Sequence, residues 1–291
     1  MSNYTYRSCH YHSDPLLFNL VMNHLTANIQ EQPPWDLLYA DDVVLIREHP
    51  SDLQNALETW RAALEDAGLR VSRNKTEYMC CNFGGIDKGA TIQLQGNQVQ
   101  KVDMFKYLGS MVSYNCTIDA DITHRINTGW MKWRELSGLM CDPRMPIHIK
   151  GKVYKTAIRP ALIYGSECWP LKKTQVSRLH VAEMKMLRWA GGVTLLDKVQ
   201  NRHILGTFKV APIEDKLLER RLRWYGHVMR RPEMHMTRSV INVSAGPRRR
   251  GRPRQSWMSV ILNDLKTAQI DPMTTQNRTT WRNMVRKADP N

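Results

Sequence analysis

The stretch WDLLYADDVVLIRE, residues 35–48, places two adjacent acids between two apolar runs. Residues 37–39 precede the acids and residues 43–46 follow them, and both runs are short and rich in residues that favour β-strands. The segment therefore predicts a β-hairpin that carries Asp41 and Asp42 at its exposed tip.

Placing Asp41 beside Asp42 has an electrostatic cost. Two carboxylates about 4 Å apart repel each other by about 4 kcal/mol at an effective dielectric constant of about 20. Without a cation nearby, one of them takes up a proton or the segment moves into water. Mg²⁺ prefers hard oxygen ligands of this kind, so the pair is a candidate metal site. The alternative is an ordinary solvated turn, because turns favour aspartate for its local hydrogen bonds.

The residues after the hairpin predict a helix. Residues 51–68, SDLQNALETWRAALEDAG, repeat apolar side chains with the period of an α-helix. Ser51 or Asp52 can cap the start, and Gly68 can end the helix in a left-handed conformation.

Further short strands are predicted beyond this helix. Residues 69–83 predict two strands separated by a polar turn at residues 73–75. Residues 91–102 alternate apolar and polar side chains on both sides of Gly96-Asn97, which predicts a second hairpin. Residues 104–113 contain another apolar run. The predicted order is hairpin, helix, strand, strand and hairpin.

Three short blocks occur in this order along the chain. They are Tyr39-Ala40-Asp41-Asp42, then Gly68-Leu69 with Asn74-Lys75-Thr76, and then Phe105-Lys106-Tyr107-Leu108-Gly109. In this order and at these spacings they resemble consecutive palm motifs of the reverse transcriptases of non-LTR, or LINE-type, retrotransposons. Residues 13–25 resemble the helix that follows the template-contacting loop in that family. Segments that resemble its thumb and trailing region occur at residues 159–171, 217–233 and 251–265, so the resemblance covers nearly the whole chain from Asp14 onward.

The resemblance implies a fold and a reaction. The fold class is α+β, with a partial right-hand polymerase palm in residues 1–112, a helical thumb-like region in 113–210 and a basic helical tail in 211–291. The reaction is RNA-directed DNA synthesis by two-metal nucleotidyl transfer with Mg²⁺. The implied partners are an RNA template and a DNA primer.

The resemblance also implies roles for individual residues. Asp41 is a metal ligand and Asp42 is its neighbour at the same site. Lys75 is the basic residue near the leaving pyrophosphate, where it neutralises charge or donates a proton; the alternative is a solvated lysine in a turn. The segment Phe105, Lys106, Tyr107, Leu108 and Gly109 is the primer grip, or alternatively a plain buried strand.

One part of the family's metal site has no counterpart in this sequence. The family also uses a carboxylate from an earlier strand, and thirteen residues without such a strand precede Asp14. We therefore expect a truncated reverse transcriptase without polymerase activity of its own, unless Asp14 or Asp36 replaces the missing ligand. The alternatives are a non-catalytic nucleic-acid-binding protein and a non-functional relic. A hairpin without its neighbouring strand also exposes a sheet edge, which predicts self-association.

Charge is distributed unevenly along the chain. The 291 residues carry a net charge of +15, yet residues 1–110 hold 9 basic and 13 acidic side chains and residues 111–291 hold 33 and 14. A basic half of this kind favours contact with a polyanion such as nucleic acid. The alternative is that the excess of Lys and Arg keeps the helices soluble.

The arginines are densest in residues 220–254, which hold 11 arginines against one acid, Glu233. Guanidinium groups interleaved with aromatic rings can pair with phosphates and stack on unpaired bases. The alternative is a core helix with solvated arginines, and the two interpretations are compatible because they use different faces. The candidate nucleic-acid-binding residues here are Arg221, Arg223, Trp224, Arg230 and Arg231.

The stretch GPRRRGRPRQ, residues 246–255, predicts an extended basic arm, since Gly and Pro disfavour helix and strand. Its centre resembles an AT-hook, which inserts arginine into the minor groove of A·T-rich DNA. The alternative is a basic linker between domains. The arginines of the arm are Arg248, Arg249, Arg250, Arg252 and Arg254.

Six further helices are predicted in the basic half from length, caps and breakers. They cover residues 119–140, 146–163, 174–190, 212–230, 256–268 and 274–287.

The six cysteines show neither a Cys-x-x-Cys pair nor the spacing of a zinc finger. Cys9, His10 and His12 could form a chance chelate, although a frayed N-terminus is the simpler interpretation. The sequence contains no signal peptide and no apolar run of about 18 residues. We therefore expect no membrane partner and a location in the nucleus or the cytoplasm.

Overall fold

The computed structural model of the chain describes residues 14–81, 91–242 and 255–290. Helices and short strands are mixed, so the fold class is α+β as predicted. The chain divides into two compact units, residues 1–105 and residues 106–291. No helix in the described ranges is both long enough and apolar enough to cross a membrane.

The first unit combines two helices with short strands. Its helices are α1 (Asp14–Thr26) and α2 (Pro50–Asp66). Its strands are β1 (Asp36–Tyr39), β2 (Asp42–Leu45), β3 (Glu77–Tyr78), β4 (Gln93–Leu94), β5 (Asn97–Gln98) and β6 (Gln100–Lys101). The division between the units falls inside β7 (Met104–Tyr107), which pairs with β8 (Ser110–Ser113).

The described strands form four two-stranded sheets, which pair β1 with β2, β3 with β6, β4 with β5 and β7 with β8. The β3–β6 pair is parallel, whereas the β1–β2 and β4–β5 pairs are antiparallel hairpins. Such short strands have little surface of their own to bury, so their stability depends on the helices that cover them.

The predicted helix over residues 51–68 is confirmed as α2. It begins at Pro50, whose fixed φ suits the first helical position. Gly68 has a φ of +81°, and the Leu69 amide donates to the Leu64 carbonyl at 2.8 Å, which closes the last turn as predicted. Trp60 and Leu64 are buried on the inner face of this helix.

The predicted strands of residues 69–83 are only partly present. Residues 73–75 form a 3₁₀ turn, and the described strand after it is limited to Glu77–Tyr78. Residues 82 and 83 lie outside the described residues. The polar turn is therefore confirmed, and the strand before it is absent from the described fold.

The second hairpin turns one residue earlier than predicted. Gln95 and Gly96 are the turn residues, with φ values of +53° and +73°, instead of Gly96 and Asn97. This register places Ile92 opposite Val99 with both side chains buried. A shift by one residue would move one of them to the solvent face, so burial decides the register.

The second unit is predominantly helical. Its helices are α3 (Asp119–Glu135), α4 (Ser137–Met140), α5 (Ile147–Val153), α6 (Arg159–Leu162), α7 (Lys173–Ala190), α8 (Asn201–Phe208), α9 (Ile213–Met229), α10 (Met236–Ser239), α11 (Trp257–Ala268) and α12 (Arg278–Val285).

Most of the predicted helices of the second unit are confirmed. Residues 119–140, 174–190, 212–230 and 256–268 correspond to α3 with α4, to α7, to α9 and to α11. Residues 146–163 form α5 and α6, joined by one π-helical turn, Tyr154–Ile158. Helix α8 was not predicted.

The single helix predicted over residues 274–287 is wrong in its first part. Pro272–Gln276 is a 3₁₀ turn, and α12 begins only at Arg278. The reason is local, because Asn277 Oδ1 accepts hydrogen bonds from the Thr279 and Thr280 amides and caps a new helix.

Helix α9 belongs to both hydrophobic clusters of the second unit. Ile213 and Leu217 near its start pack in one cluster with residues such as Tyr154, whereas Leu222 further along packs with Trp281. The packing is therefore continuous across residues 210 and 211, where the sequence suggested a boundary between thumb and tail. The assignment of these regions as palm, thumb and tail stays a prediction.

Candidate metal and nucleic-acid site

The β1–β2 hairpin presents the acid pair as predicted, with one refinement. Tyr39 pairs with Asp42, so Ala40 and Asp41 are the two turn residues and Asp42 is the first residue of β2. Ala40 has a φ of +52°, a left-handed conformation that non-glycine residues adopt infrequently. Both acids are exposed.

A side chain of α1 contacts the turn. The Ala40 amide donates a hydrogen bond to Asn19 Oδ1 at 3.1 Å. This bond gives the unusual turn backbone a partner outside the hairpin. Sequence reasoning did not identify Asn19, and the only signal was that residues 13–25 resemble a helix of the family.

The inner side of the hairpin is apolar. Leu38, Val43 and Leu45 are partly buried against the cluster formed by Met22 and Trp60. This packing holds the strands of the hairpin against the helices and leaves the turn with the Asp41 and Asp42 carboxylates exposed to water. Two adjacent exposed carboxylates are a suitable part of a Mg²⁺ site, which usually takes one or two protein carboxylates.

Asp36 has a different role, and its suggested use as a replacement metal ligand is wrong. Asp36 is only 2% exposed, and its Oδ1 accepts a hydrogen bond from Arg47 Nη1 at 2.8 Å. Oδ2 accepts from the Glu31 amide at 2.9 Å and from Trp60 Nε1 at 3.3 Å. Both carboxylate oxygens are therefore occupied by hydrogen bonds that link the base of the hairpin to α2, and the buried carboxylate is not available to a metal ion.

The residues described here bring no third ligand to Asp41 and Asp42. Among the described residues, three His, Cys, Asp or Glu side chains cluster closely enough to share a metal ion only at His180, Glu183 and Glu214 in the second unit. The side chain of Asp14, the other suggested replacement, lies outside the described residues.

Lys75 is exposed at the end of the 3₁₀ turn Arg73–Lys75. An exposed lysine suits both the pyrophosphate role and a solvated turn. Its role stays a prediction.

The primer-grip segment forms a tight hairpin. Leu108 and Gly109 connect β7 to β8 with φ values of +47° and +84°, which is the two-residue turn that matches strand twist. The Tyr164 hydroxyl donates to the Leu108 carbonyl at 3.1 Å, and Arg125 Nη2 donates to the Gly109 carbonyl. The Arg125 guanidinium also lies 4.4 Å from the Tyr164 ring centre.

Exposure alternates along this segment. Lys106 is exposed, Phe105 and Tyr107 are partly buried, and Leu108 is 37% exposed. The alternative of a plain buried strand is therefore wrong, because one face of the hairpin is exposed to water. The role as primer grip stays a prediction.

Among the candidate nucleic-acid residues of α9, Arg221 faces the interior. Its Nε donates to Asp264 Oδ2 at 2.6 Å and its Nη2 donates to Oδ1 at 3.1 Å, with side chains only 6% and 7% exposed. This guanidinium is therefore not accessible to a phosphate. We remove Arg221 from the candidate surface.

The other candidates lie in the C-terminal half of α9 and just beyond its end, where Arg223 and Arg231 are exposed and Trp224 and Arg230 are partly buried. Trp224 stacks on His227 with ring centres 5.2 Å apart and planes 21° apart. Arg231 Nη2 lies 3.2 Å from His227 Nε2, and the Arg223 side chain is 58% exposed. We call Arg223, Trp224, His227, Arg230 and Arg231 the α9 basic surface.

Several positively charged side chains surround His227. Partial burial lowers the pKa of His227, and the nearby Arg231, Arg230 and Arg278 guanidinium groups lower it further. His227 therefore contributes an aromatic face and little charge at neutral pH. Arg278 of α12 was missed by sequence reasoning, because it lies far from α9 along the chain.

The predicted basic arm cannot be placed, since residues 243–254 lie outside the described residues. The five arginines from Arg248 to Arg254 are among them.

Comparison with known proteins shows what the chain is similar to. Residues 12–112 match the family described as "Reverse transcriptase (RNA-dependent DNA polymerase)". An uncharacterized transposon-derived protein of Caenorhabditis elegans is 24% identical over 272 residues, which is 88% of this chain and 96% of that protein.

Two Pol polyproteins from the type-1 retrotransposable element R2 are also similar. The one from Popillia japonica is 24% identical and covers 52% of this chain and 26% of its own length. The one from Nasonia vitripennis is 30% identical and covers 35% of this chain and 11% of its own length. No solved structure matches significantly. The chain is therefore similar to the reverse transcriptases of retrotransposons, and residues 12–112 are the part that matches the family.

Proposed function

We propose that Asp41 and Asp42 are metal ligands of a LINE-type RNA-directed DNA polymerase. The observation that carries this proposal is the exposed acid pair on a buried hairpin, inside the segment that matches the reverse transcriptase family. Asp41 and Asp42 would hold Mg²⁺, which would supply activation of the primer hydroxyl and stabilisation of charge on the leaving pyrophosphate.

The residues of the chain supply the surroundings of this site. Asn19 accepts a hydrogen bond from the Ala40 amide and so supports the backbone of the turn beside Asp41. Lys75 is proposed to offset negative charge on the pyrophosphate. Separately, the tight turn at Leu108 and Gly109 of the second unit is proposed to contact the primer strand.

We also propose that the 291-residue chain by itself binds nucleic acid and polymerises poorly. The support is that the described residues gather no third ligand at Asp41 and Asp42, whereas polymerase metals need further ligands. The α9 basic surface would contact the phosphates of an RNA template or a DNA primer. The arginine arm would bind A·T-rich DNA as a further partner. The exposed edge of the β1–β2 hairpin would allow two copies of the chain to associate. A nuclear or cytoplasmic location suits these partners.

RNA-templated primer extension with the purified chain in Mg²⁺, and then in Mn²⁺, tests the catalytic proposal. We expect little extension by the chain alone. Any extension that occurs should be lost in Asp41→Asn, because the variant removes a negative ligand without changing side-chain size. Robust extension that survives in Asp41→Asn would contradict the role of the acid pair.

The α9 basic surface makes a separate prediction for binding. Arg231→Ala should weaken binding to single-stranded RNA and lower the slope of log affinity against log salt by about 1, because one phosphate contact is lost. Trp224→Ala should cost about 1–3 kcal/mol per stacked base with little change of slope.

Fluorescence anisotropy over a salt series measures both effects. Arg134→Ala, which removes an exposed arginine of α3, is the matched control and should change neither affinity nor slope by as much. Equal effects of Arg134→Ala and Arg231→Ala would mean that binding is diffuse and does not use this surface.

A further inference from the structure

Three potential metal ligands meet where α7 packs near the start of α9. His180 and Glu183 are three residues apart on α7 and therefore share a face. Glu214 lies in the first turn of α9. One ligand atom from each residue lies within 4.8 Å of the others.

The three side chains form a path from solvent to interior. Glu183 is fully buried, whereas the side chains of His180 and Glu214 are 25% and 40% exposed. A cation from solvent would therefore meet His180 and Glu214 first, with Glu183 as the innermost ligand.

Two buried atoms of the cluster have no hydrogen-bond partner in the described structure. His180 Nδ1 lies 2.8 Å from Glu214 Oε1, but the pair lacks hydrogen-bond geometry, so Nδ1 remains unsatisfied. Glu214 Oε2 is also buried without a partner. Unsatisfied buried polar atoms are costly, and a cation between them would satisfy both.

Glu183 keeps ligand capacity although it is already hydrogen-bonded. Oε1 accepts from the Tyr154 hydroxyl at 2.9 Å, and Oε2 accepts from the Ile213 amide at 3.0 Å. A carboxylate offers about four lone-pair sites, so sites remain for a metal. The two bonds fix the carboxylate orientation, as outer partners of metal ligands commonly do.

We propose that His180, Glu183 and Glu214 form a binding site for a divalent transition metal of the zinc class. One imidazole nitrogen with two carboxylates and a water is a donor set that Zn²⁺ accepts in four-coordinate sites. The ion would bind Nδ1 of His180 and one oxygen from each glutamate. It would link α7 to α9, and this structural role is independent of the proposed polymerase chemistry.

Asn201 provides a way to test the assignment of Nδ1. Its Nδ2 lies 3.0 Å from His180 Nε2, and its Oδ1 accepts from Arg188 Nη2 at 2.8 Å. A metal on Nδ1 places the hydrogen on Nε2, which then needs an acceptor. Asn201→Asp supplies that acceptor and keeps the bond from Arg188, so it should tighten zinc binding.

The experiment is calorimetric titration of the metal-free full-length chain with ZnCl₂. His180→Ala and Glu214→Gln should each lose one zinc equivalent, and Asn201→Asp should raise affinity about tenfold, the scale at which such outer partners act. His203→Ala, an exposed histidine of α8, should retain the equivalent. Asn263→Asp, at an exposed position of α11, controls for the added negative charge and should leave the affinity unchanged.

Cobalt(II) absorption distinguishes this site from metal binding by cysteine thiolates, since nitrogen and oxygen ligands give no thiolate charge-transfer band. Circular dichroism checks that each variant folds. If His180→Ala does not fold, Glu214→Gln tests the site instead, because its side chain is partly exposed. Absence of zinc binding, or a zinc equivalent unchanged in Glu214→Gln, would overturn the proposal.

Discussion

Asp36→Ala should destabilise the first unit by about 3–5 kcal/mol, because removing one partner leaves a buried charge uncompensated. The charge is that of Arg47, whose side chain is 10% exposed and whose Nη1 bonds Asp36 at 2.8 Å. Trp60 Nε1 and the Glu31 amide lose their acceptor as well. Glu31 still pairs with Arg47 Nη2 at 2.9 Å, but its side chain is 54% exposed and replaces little of the loss.

Urea denaturation of the full-length chain, followed by far-UV circular dichroism, measures this effect. Asp66→Ala is the matched control, because it removes an exposed aspartate at the end of α2. Its stability should stay within about 0.5 kcal/mol of the wild type, as is usual for surface substitutions. If Asp36→Ala and Asp66→Ala unfolded at the same urea concentration, Asp36 would not anchor the hairpin.

Asp264→Ala should destabilise the second unit by a similar amount, about 3–5 kcal/mol. Asp264 of α11 is the only acid that bonds Arg221 in the described structure, through Nε at 2.6 Å and Nη2 at 3.1 Å. Arg221 Nη1 is already buried without a hydrogen-bond partner. In the described surroundings, no other acid can therefore replace Asp264 and neutralise the guanidinium charge.

A double variant separates the loss of a partner from the loss of packing. Arg221→Met with Asp264→Leu replaces the buried pair by apolar side chains, which is often neutral or stabilising. The double variant should therefore be more stable than Asp264→Ala in thermal denaturation. Equal destabilisation in both would show that packing volume, and not the unpaired charge, decides the stability. Arg223→Met, on the exposed face of α9, is the control and should change stability little.

The sequence by itself determined the local elements of this protein. The apolar period of residues 51–68 gave α2, and the freedom of Gly68 to adopt a positive φ gave its end. The two short apolar runs on either side of Asp41 and Asp42 predicted the first hairpin. These features depend on neighbouring residues and on backbone sterics, so they can be read from a short window.

The tertiary structure alone decided what identical residue types do. Asp36 and Asp41 are five positions apart, yet one is buried against Arg47 and Trp60 while the other faces water. Arg221 and Arg223 are two positions apart, yet only Arg223 is exposed. The fate of each charge depends on partners that are distant along the chain. Burial and charge compensation arise only when those partners come into contact in the folded chain. Such contacts cannot be inferred from a local sequence pattern.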